Sequence, residues 1–213
     1  MSPRRSCSSE PDDRQLFTER FDRFYSRFAR GYDWFVKASP FWRNWLNHVI
    51  PHLQGDRVLE VSFGTGYLLT QYAGRFMTCG IDLNENLAQI AKENVAGQSA
   101  RAHLQVATVE ALPYADDSFD TLVNTMAFTG YPDGQLALSE MHRVLRNGGR
   151  LIMVDINYPL EGNWIGSMLT RAWQAGGDII RDMDQLFDQF NFQQSDREIG
   201  GAGSVHLYIA TKL

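Results

Sequence analysis

Between Glu60 and Leu69 the chain reads EVSFGTGYLL, an acid followed by a small-residue turn: Ser62, Phe63, Gly64, Thr65 and Gly66. Two chemistries use such a turn. A phosphate cradle of the dinucleotide type needs G-x-G-x-x-G, with a third glycine for close helix packing around a pyrophosphate. Here the third position falls on Leu69 if Gly64 is first, or on Tyr67 if Ser62 is first. Glu60 argues further against phosphate, because a carboxylate beside a bound anion in a partly dry cleft is unfavourable. The same acid suits a cationic ligand carrying an ammonium and a sulfonium.

Other stretches follow in order. GIDLNENL places Asp82 and Leu83 at the end of an apolar run, ATVEALPYADDSFDTLV contains Thr108, Val109 and Glu110, and EMHRVLRNGGRLIMVD leads from a helical pattern through two glycines into another apolar run. Upstream, YSRFARGYD sets Tyr25 and Tyr32 seven apart, on one face of a helix.

Taken together these motifs resemble class I S-adenosylmethionine-dependent methyltransferases, from about Tyr25 to Leu213. The family's first motif is an acid followed by x-Gly-x-Gly-x-Gly, and Ser62 departs from it at the first glycine. The resemblance implies S-adenosyl-L-methionine as cofactor, with S-adenosyl-L-homocysteine as product. It also implies cofactor contacts from Tyr32, Glu60, the turn residues Ser62 to Gly66, Val109, Glu110 and Asn124. Asp82 would hold the ribose hydroxyls with Leu83 beside the adenine. Thr108 stands where the family has an aspartate near the adenine amino group, and Asn147 where it often has a proline. YSRFARGYD is similar to the first helix of the ubiquinone and menaquinone methyltransferases and of some phospholipid N-methyltransferases, where it covers the cofactor.

The elements that must position these residues read as an α/β fold: a doubly wound, mostly parallel seven-stranded sheet with an antiparallel C-terminal hairpin. Strands are expected at 57–62, 77–82, 102–107, 119–124 and 150–156, and helices near 66–74, 85–96 and 133–146. Residues 1–13 form an expected mobile tail and 14–54 a helical lid, in which Gly31 can end an aromatic helix and Ser39-Pro40 starts a second. Residues 55–213 form the catalytic domain, with a helical substrate-side insertion at about 157–190 and a hairpin through Gly200, Gly201, Ala202 and Gly203.

An acceptor is expected against Tyr25, Met126, Phe128, Asn157, Tyr158 and Trp164, with Trp173 read as core. Methyl displacement is driven by positioning and desolvation, so a base is optional. Tyr25, Tyr32, Asp155 and His206 are the candidates where a proton must leave. The five histidines show no metal-ligand clustering, Cys7 and Cys79 offer no disulfide framework, and no metal is expected.

A net charge of −5 excludes a broad nucleic-acid footprint. No apolar run nears the roughly 18 residues of a membrane span, and no apolar signal core follows Arg4 and Arg5, so a cytoplasmic location is expected. Three readings stand: a methyltransferase for a small quinone-like, phenolic or other apolar acceptor; a phospholipid N-methyltransferase touching the membrane through its Arg/Phe helix; and a non-catalytic S-adenosylmethionine-binding protein. The sequence sets no oligomeric state.

Overall fold

The computed structural model describes Ser8 and residues 10–98 and 101–213. Strands β1 (Arg57–Val61), β2 (Met77–Asp82), β3 (Ala102–Val106), β4 (Phe119–Thr125), β5 (Leu145–Ile156), β6 (Phe192–Gly200) and β7 (Val205–Lys212) form one sheet in the order β3-β2-β1-β4-β5-β7-β6. The first five are parallel; β7 runs antiparallel to both β5 and β6. Val58, Leu59 and Val61 in β1 are fully buried because a central parallel strand is covered on both faces. One face is closed by Leu138, Met141 and Phe187, the other by Leu69, Ala91 and Val49.

Chain order reverses between β1 and β4, which opens a crevice at their carboxyl ends. Helices α1 (Arg14–Ala38), α2 (Pro40–Asn47), α3 (Tyr67–Tyr72), α4 (Glu85–Gly97), α5 (Gly134–Val144), α6 (Trp164–Gly176) and α7 (Met183–Gln189) complete the fold. Helix α1 runs straight through Gly31, correcting the expected stop there. An interior glycine costs only about 1 kcal/mol, and Tyr32 and Val36 beyond it pack against the core. The helix ends at Ser39, which also caps α2 by accepting from Trp42 N–H. The expected helical insertion is two helices broken at 177–182, because Gly177 takes a left-handed conformation and Asp182 starts α7 as its N-cap.

Helix α1 is fastened by the side-chain amides of the α4 N-cap, Asn84, and of Asn94 within that helix. Asn84 Nδ2 donates to Asp22 Oδ1 (2.7 Å) and Ser26 Oγ (2.7 Å), and Asn94 Nδ2 donates to Asp33 Oδ1 (2.9 Å). Cys7 and most of the expected tail lie outside the described residues; Ser8 N–H donates to the Ile180 carbonyl at 2.8 Å.

Candidate functional site

Strand β1 delivers Glu60 and then turns sharply. Ser62, Gly64 and Gly66 all take positive φ, of 58°, 56° and 74°. Gly66 is where glycine is required: a Cβ there would stand 2.9 Å from the Ala91 Cβ, so this residue lets α3 approach α4. It does the packing work that the dinucleotide fingerprint assigns to its third glycine. Above Gly64 the space is open up to the Tyr32 ring, 3.6 Å from a notional Cβ.

A cavity of about 270 Å³ lies over this turn, lined among others by Tyr25, Tyr32, Ser62, Gly64, Asp82, Leu83, Thr108, Val109, Glu110 and Met126. Asp82, at the end of β2, is nearly buried; its Oδ2 accepts Gly64 N–H (2.8 Å) and its Oδ1 accepts Asn84 N–H (2.9 Å). Burial pushes its carboxyl up to about 6 against the pull of those amides. Glu60 sits instead on a smaller void behind the turn, with Tyr32, Ser62, Phe63, Gly64 and Thr65. It accepts from the Tyr72 hydroxyl at 2.6 Å, and burial raises its carboxyl to about 8. The two spaces share Tyr32, Ser62, Gly64 and Thr125.

Tyr131 went unnoticed in the sequence, for it carries no motif. Its hydroxyl meets Ser62 Oγ at 2.7 Å and receives Asn124 Nδ2 at 2.8 Å. Asn124 Nδ2 also donates to the Val61 carbonyl (3.0 Å), while its Oδ1 is buried without a partner. Asn124 itself is fully buried and stands behind the cavity.

A second cavity, of about 550 Å³, opens on the other side of α1. It is walled by Phe24, Trp42, Ile156, Leu169 and Trp173, with Asp155, Thr129 and Arg20. Phe21, Tyr25, Met126 and Asp178 line both large cavities and form the wall between them. Met126 is held at φ 52°, a conformation a non-glycine residue adopts only under tertiary constraint. Trp173, read as core, is a wall of this second space, 6.4 Å from the Trp42 ring.

Several expected residues are not where the sequence put them. His206 is fully buried in β7, bonded to Asp196 at 2.7 Å, and borders none of the three spaces. Asp155 reaches the second cavity, but its oxygens are filled by the backbone N–H groups of Ala127, Phe128, Thr129 and Ile156, so it braces the loop after β4. Phe128 is core against Tyr131, and Asn157 ties Arg181 and Tyr208 together inside the protein. Tyr158 bonds Gln174, and Trp164 is 72% exposed outside both cavities. Both candidate tyrosines hold their protons: burial pushes Tyr25 up to about 12, and Tyr32 higher still. They can donate hydrogen bonds but do not act as bases near neutrality.

Asp178 was likewise unread. It lies on the shared wall, its carboxyl raised by burial, and meets Thr129 Oγ1 at 2.9 Å. Thr129 Oγ1 also lies 3.0 Å from Asp155 Oδ1. One hydroxyl has one proton to give. Among the described residues no cluster of His, Cys, Asp and Glu could hold a metal ion.

These features fit a cationic nucleoside: a carboxylate at the end of β2, an open space over Gly64, and a buried, unpartnered Glu110 Oε1 at the cavity wall. Comparison with known proteins agrees. The sequence profile of a methyltransferase domain matches residues 59–153. The ubiquinone/menaquinone biosynthesis C-methyltransferase UbiE of Geotalea daltonii is 30% identical over 152 residues, covering 66% of this chain and 65% of that protein. The chain therefore spans a little under two thirds of that relative. Demethylmenaquinone methyltransferase of Symbiobacterium thermophilum aligns over 100% of this chain and 98% of its own length at 28% identity. The fold matches a crystallised S-adenosylmethionine-dependent methyltransferase of Thermotoga maritima with a TM-score of 0.71 at 20% identity, over 90% of this chain and 99% of that one. The methyltransferase profile, the UbiE-like relatives and the fold together support a class I S-adenosylmethionine-dependent methyltransferase of the UbiE-like type.

Proposed function

We propose that this chain methylates a small, apolar or planar acceptor of the quinone or phenol kind, bound in the second cavity. The observation that carries the reading is the shared wall: Phe21, Tyr25, Met126 and Asp178 face a space bearing Asp82, Ser62 and Gly64 on one side and one walled by Phe24, Trp42 and Trp173 on the other. When bound, S-adenosylmethionine supplies a methyl carbon already activated for displacement by its sulfonium.

The chain's own residues supply position and a dry path. Asp82 would accept hydrogen bonds from the ribose hydroxyls, and Glu60 would hold the ammonium of the amino-acid tail, whose charge would restore the ionised form that burial disfavours. Val61's carbonyl fixes the Asn124 amide so that Nδ2 faces Tyr131. The Tyr131 proton then turns to Ser62, which leaves the Ser62 proton for the ligand. Tyr25 and Met126 set the acceptor against the shared wall, and closure of α1 excludes water, which sharpens orientation.

Where the acceptor must lose a proton, Asp178 is placed to take it. Thr129 has one proton to give to the two carboxylates beside it, and burial raises the Asp178 carboxyl, the direction a proton acceptor requires. Trp42, Trp173 and Leu169 favour a flat, oily body for the acceptor, consistent with the quinone named for the relatives.

The test is incubation with methyl-labelled S-adenosylmethionine and cell extract, followed by phase partition. Label in the organic phase is expected. Tight S-adenosylhomocysteine binding with no label leaving the cofactor in any fraction would overturn the enzyme reading in favour of a binding protein.

A further inference from the structure

The second cavity opens onto an apolar, aromatic surface. Phe24, Leu169 and Trp173 line it while remaining 58%, 37% and 37% exposed, so they form its rim. Outside the rim the apolar surface continues on both helices. On α1, Phe24, Phe28 and Phe35 recur at i, i+4 and i+11; on α6, Trp164, Met168 and Leu169 lead down the helix toward Trp173. Phe28 and Trp164 are 51% and 72% exposed and touch neither large cavity. The protein's interior makes no use of them.

Charge completes the pattern. The chain as a whole carries −5. On α1, Arg23, Arg27, Arg30 and Trp34 share a stripe beside the phenylalanines, and the Arg27 guanidinium lies over the Phe28 ring at 5.8 Å. Of the acids of the same helix, Asp22 receives Asn84 and Asp33 receives Asn94 and Lys37, while the exposed Glu19 at the N-terminal end of the stripe accepts from Gln15. From Arg23 onward the outward flank is therefore basic and aromatic together, while Asp22 and Asp33 face α4.

We infer that the mouth of the second cavity docks on an anionic lipid surface, with the rings of α1 and α6 entering the headgroup layer and the arginines meeting lipid phosphates. Rings with polar neighbours favour that layer, and basic residues are drawn to it. No helix among the described residues is long and apolar enough to cross a membrane, and the contact inferred is a peripheral one. An apolar acceptor could then pass from lipid to cavity without crossing water. The inference rests on the second cavity being the acceptor's.

The test is co-sedimentation with vesicles of equal parts phosphatidylcholine and phosphatidylglycerol, against phosphatidylcholine alone, with S-adenosylhomocysteine titrated in parallel. The protein is expected to bind the anionic vesicles at least about tenfold more tightly than the neutral ones. F28E and W164E, exposed and outside both cavities, should each lower vesicle binding by about tenfold and leave nucleoside affinity and the melting curve unchanged. R23E with R27E should remove the preference for anionic lipid and flatten its salt dependence.

Failure to sediment with anionic vesicles at low salt, in protein that still binds S-adenosylhomocysteine, would overturn the lipid surface while sparing the methyltransferase reading. So would undiminished binding by F28E and W164E. A dimer that both variants dissociate and that vesicles do not displace would assign the face to a second copy instead.

Discussion

The two large cavities sit either side of one wall, yet they are built by different means. The space over Gly64 lies between helix α1 and the strand ends with the turns that leave them: Ser62 and Gly64 after β1, Asp82 and Leu83 after β2, Met126 after β4. Its recognition groups are carboxylates and backbone positions fixed by hydrogen bonds of the sheet. The second space is bounded largely by helix side chains: Phe24 of α1, Trp42 of α2, Leu169 and Trp173 of α6. Its selectivity depends on the shapes of rings. The first can tolerate little movement, because Asp82 also holds Gly64 N–H and Asn84 N–H; the second can be reshaped by one side chain without disturbing the sheet.

That contrast can be broken in order of expected effect. Removing the carboxylate in D82A should weaken S-adenosylhomocysteine binding by about tenfold or more, since hydrogen bonds to a charged group are worth about 1.5–3 kcal/mol. Calorimetric titration measures it, and unchanged affinity would remove Asp82 from the ribose. With D178N, kcat for a proton-losing acceptor should fall about 10²-fold or more with cofactor affinity intact, the usual scale for a general base. A fall in cofactor affinity of the same size would instead make Asp178 a group that holds the cofactor and not a base.

W173A separates the cavities most directly. It should raise the acceptor's KM by about tenfold, an aromatic wall being worth roughly 1–2 kcal/mol, with the nucleoside's Kd unmoved.

Titration gives a further handle. Burial raises Glu60 from 4.5 to about 8, so the folded state holds its proton over a range where the unfolded chain has lost it. Stability contributed by neutral Glu60 is full below 4.5 and falls as pH rises toward 8. E60Q should therefore melt higher than the parent at pH 8 while binding S-adenosylmethionine more weakly; a lower Tm at that pH would contradict the burial argument. Asp82 adds that nucleoside affinity drops as pH falls through about 6. The smallest effect is at Ser62, whose φ of 58° is strained. S62G should gain about 1 kcal/mol in stability and lose a few-fold in nucleoside affinity, and Y131F should repeat the affinity loss without the stability gain.

Much of the first cavity was legible in the sequence, because its residues lie in short contiguous motifs whose order follows the chain from strand to turn to helix. Asp82 and the turn from Ser62 to Gly66 are of that kind. Tyr131 and Asp178 were not legible, since each reaches the site from a loop with no periodic signal. His206 was misread because alternation in β7 tells which residues share a face but not what covers that face.

The local pattern by itself determined the central part of each strand, the cap at Ser39, the small-residue turn after β1 and the acid at the end of β2, since backbone propensity and hydrophobic period act over a few residues. Only the tertiary structure decided which rings became core and which became walls. That choice turns on where α1 and α6 settle across the crevice, and their positions depend on contacts such as Asn84 with Asp22 and Trp42 with Trp173. Partners so distant along the chain leave no mark in any short stretch of it.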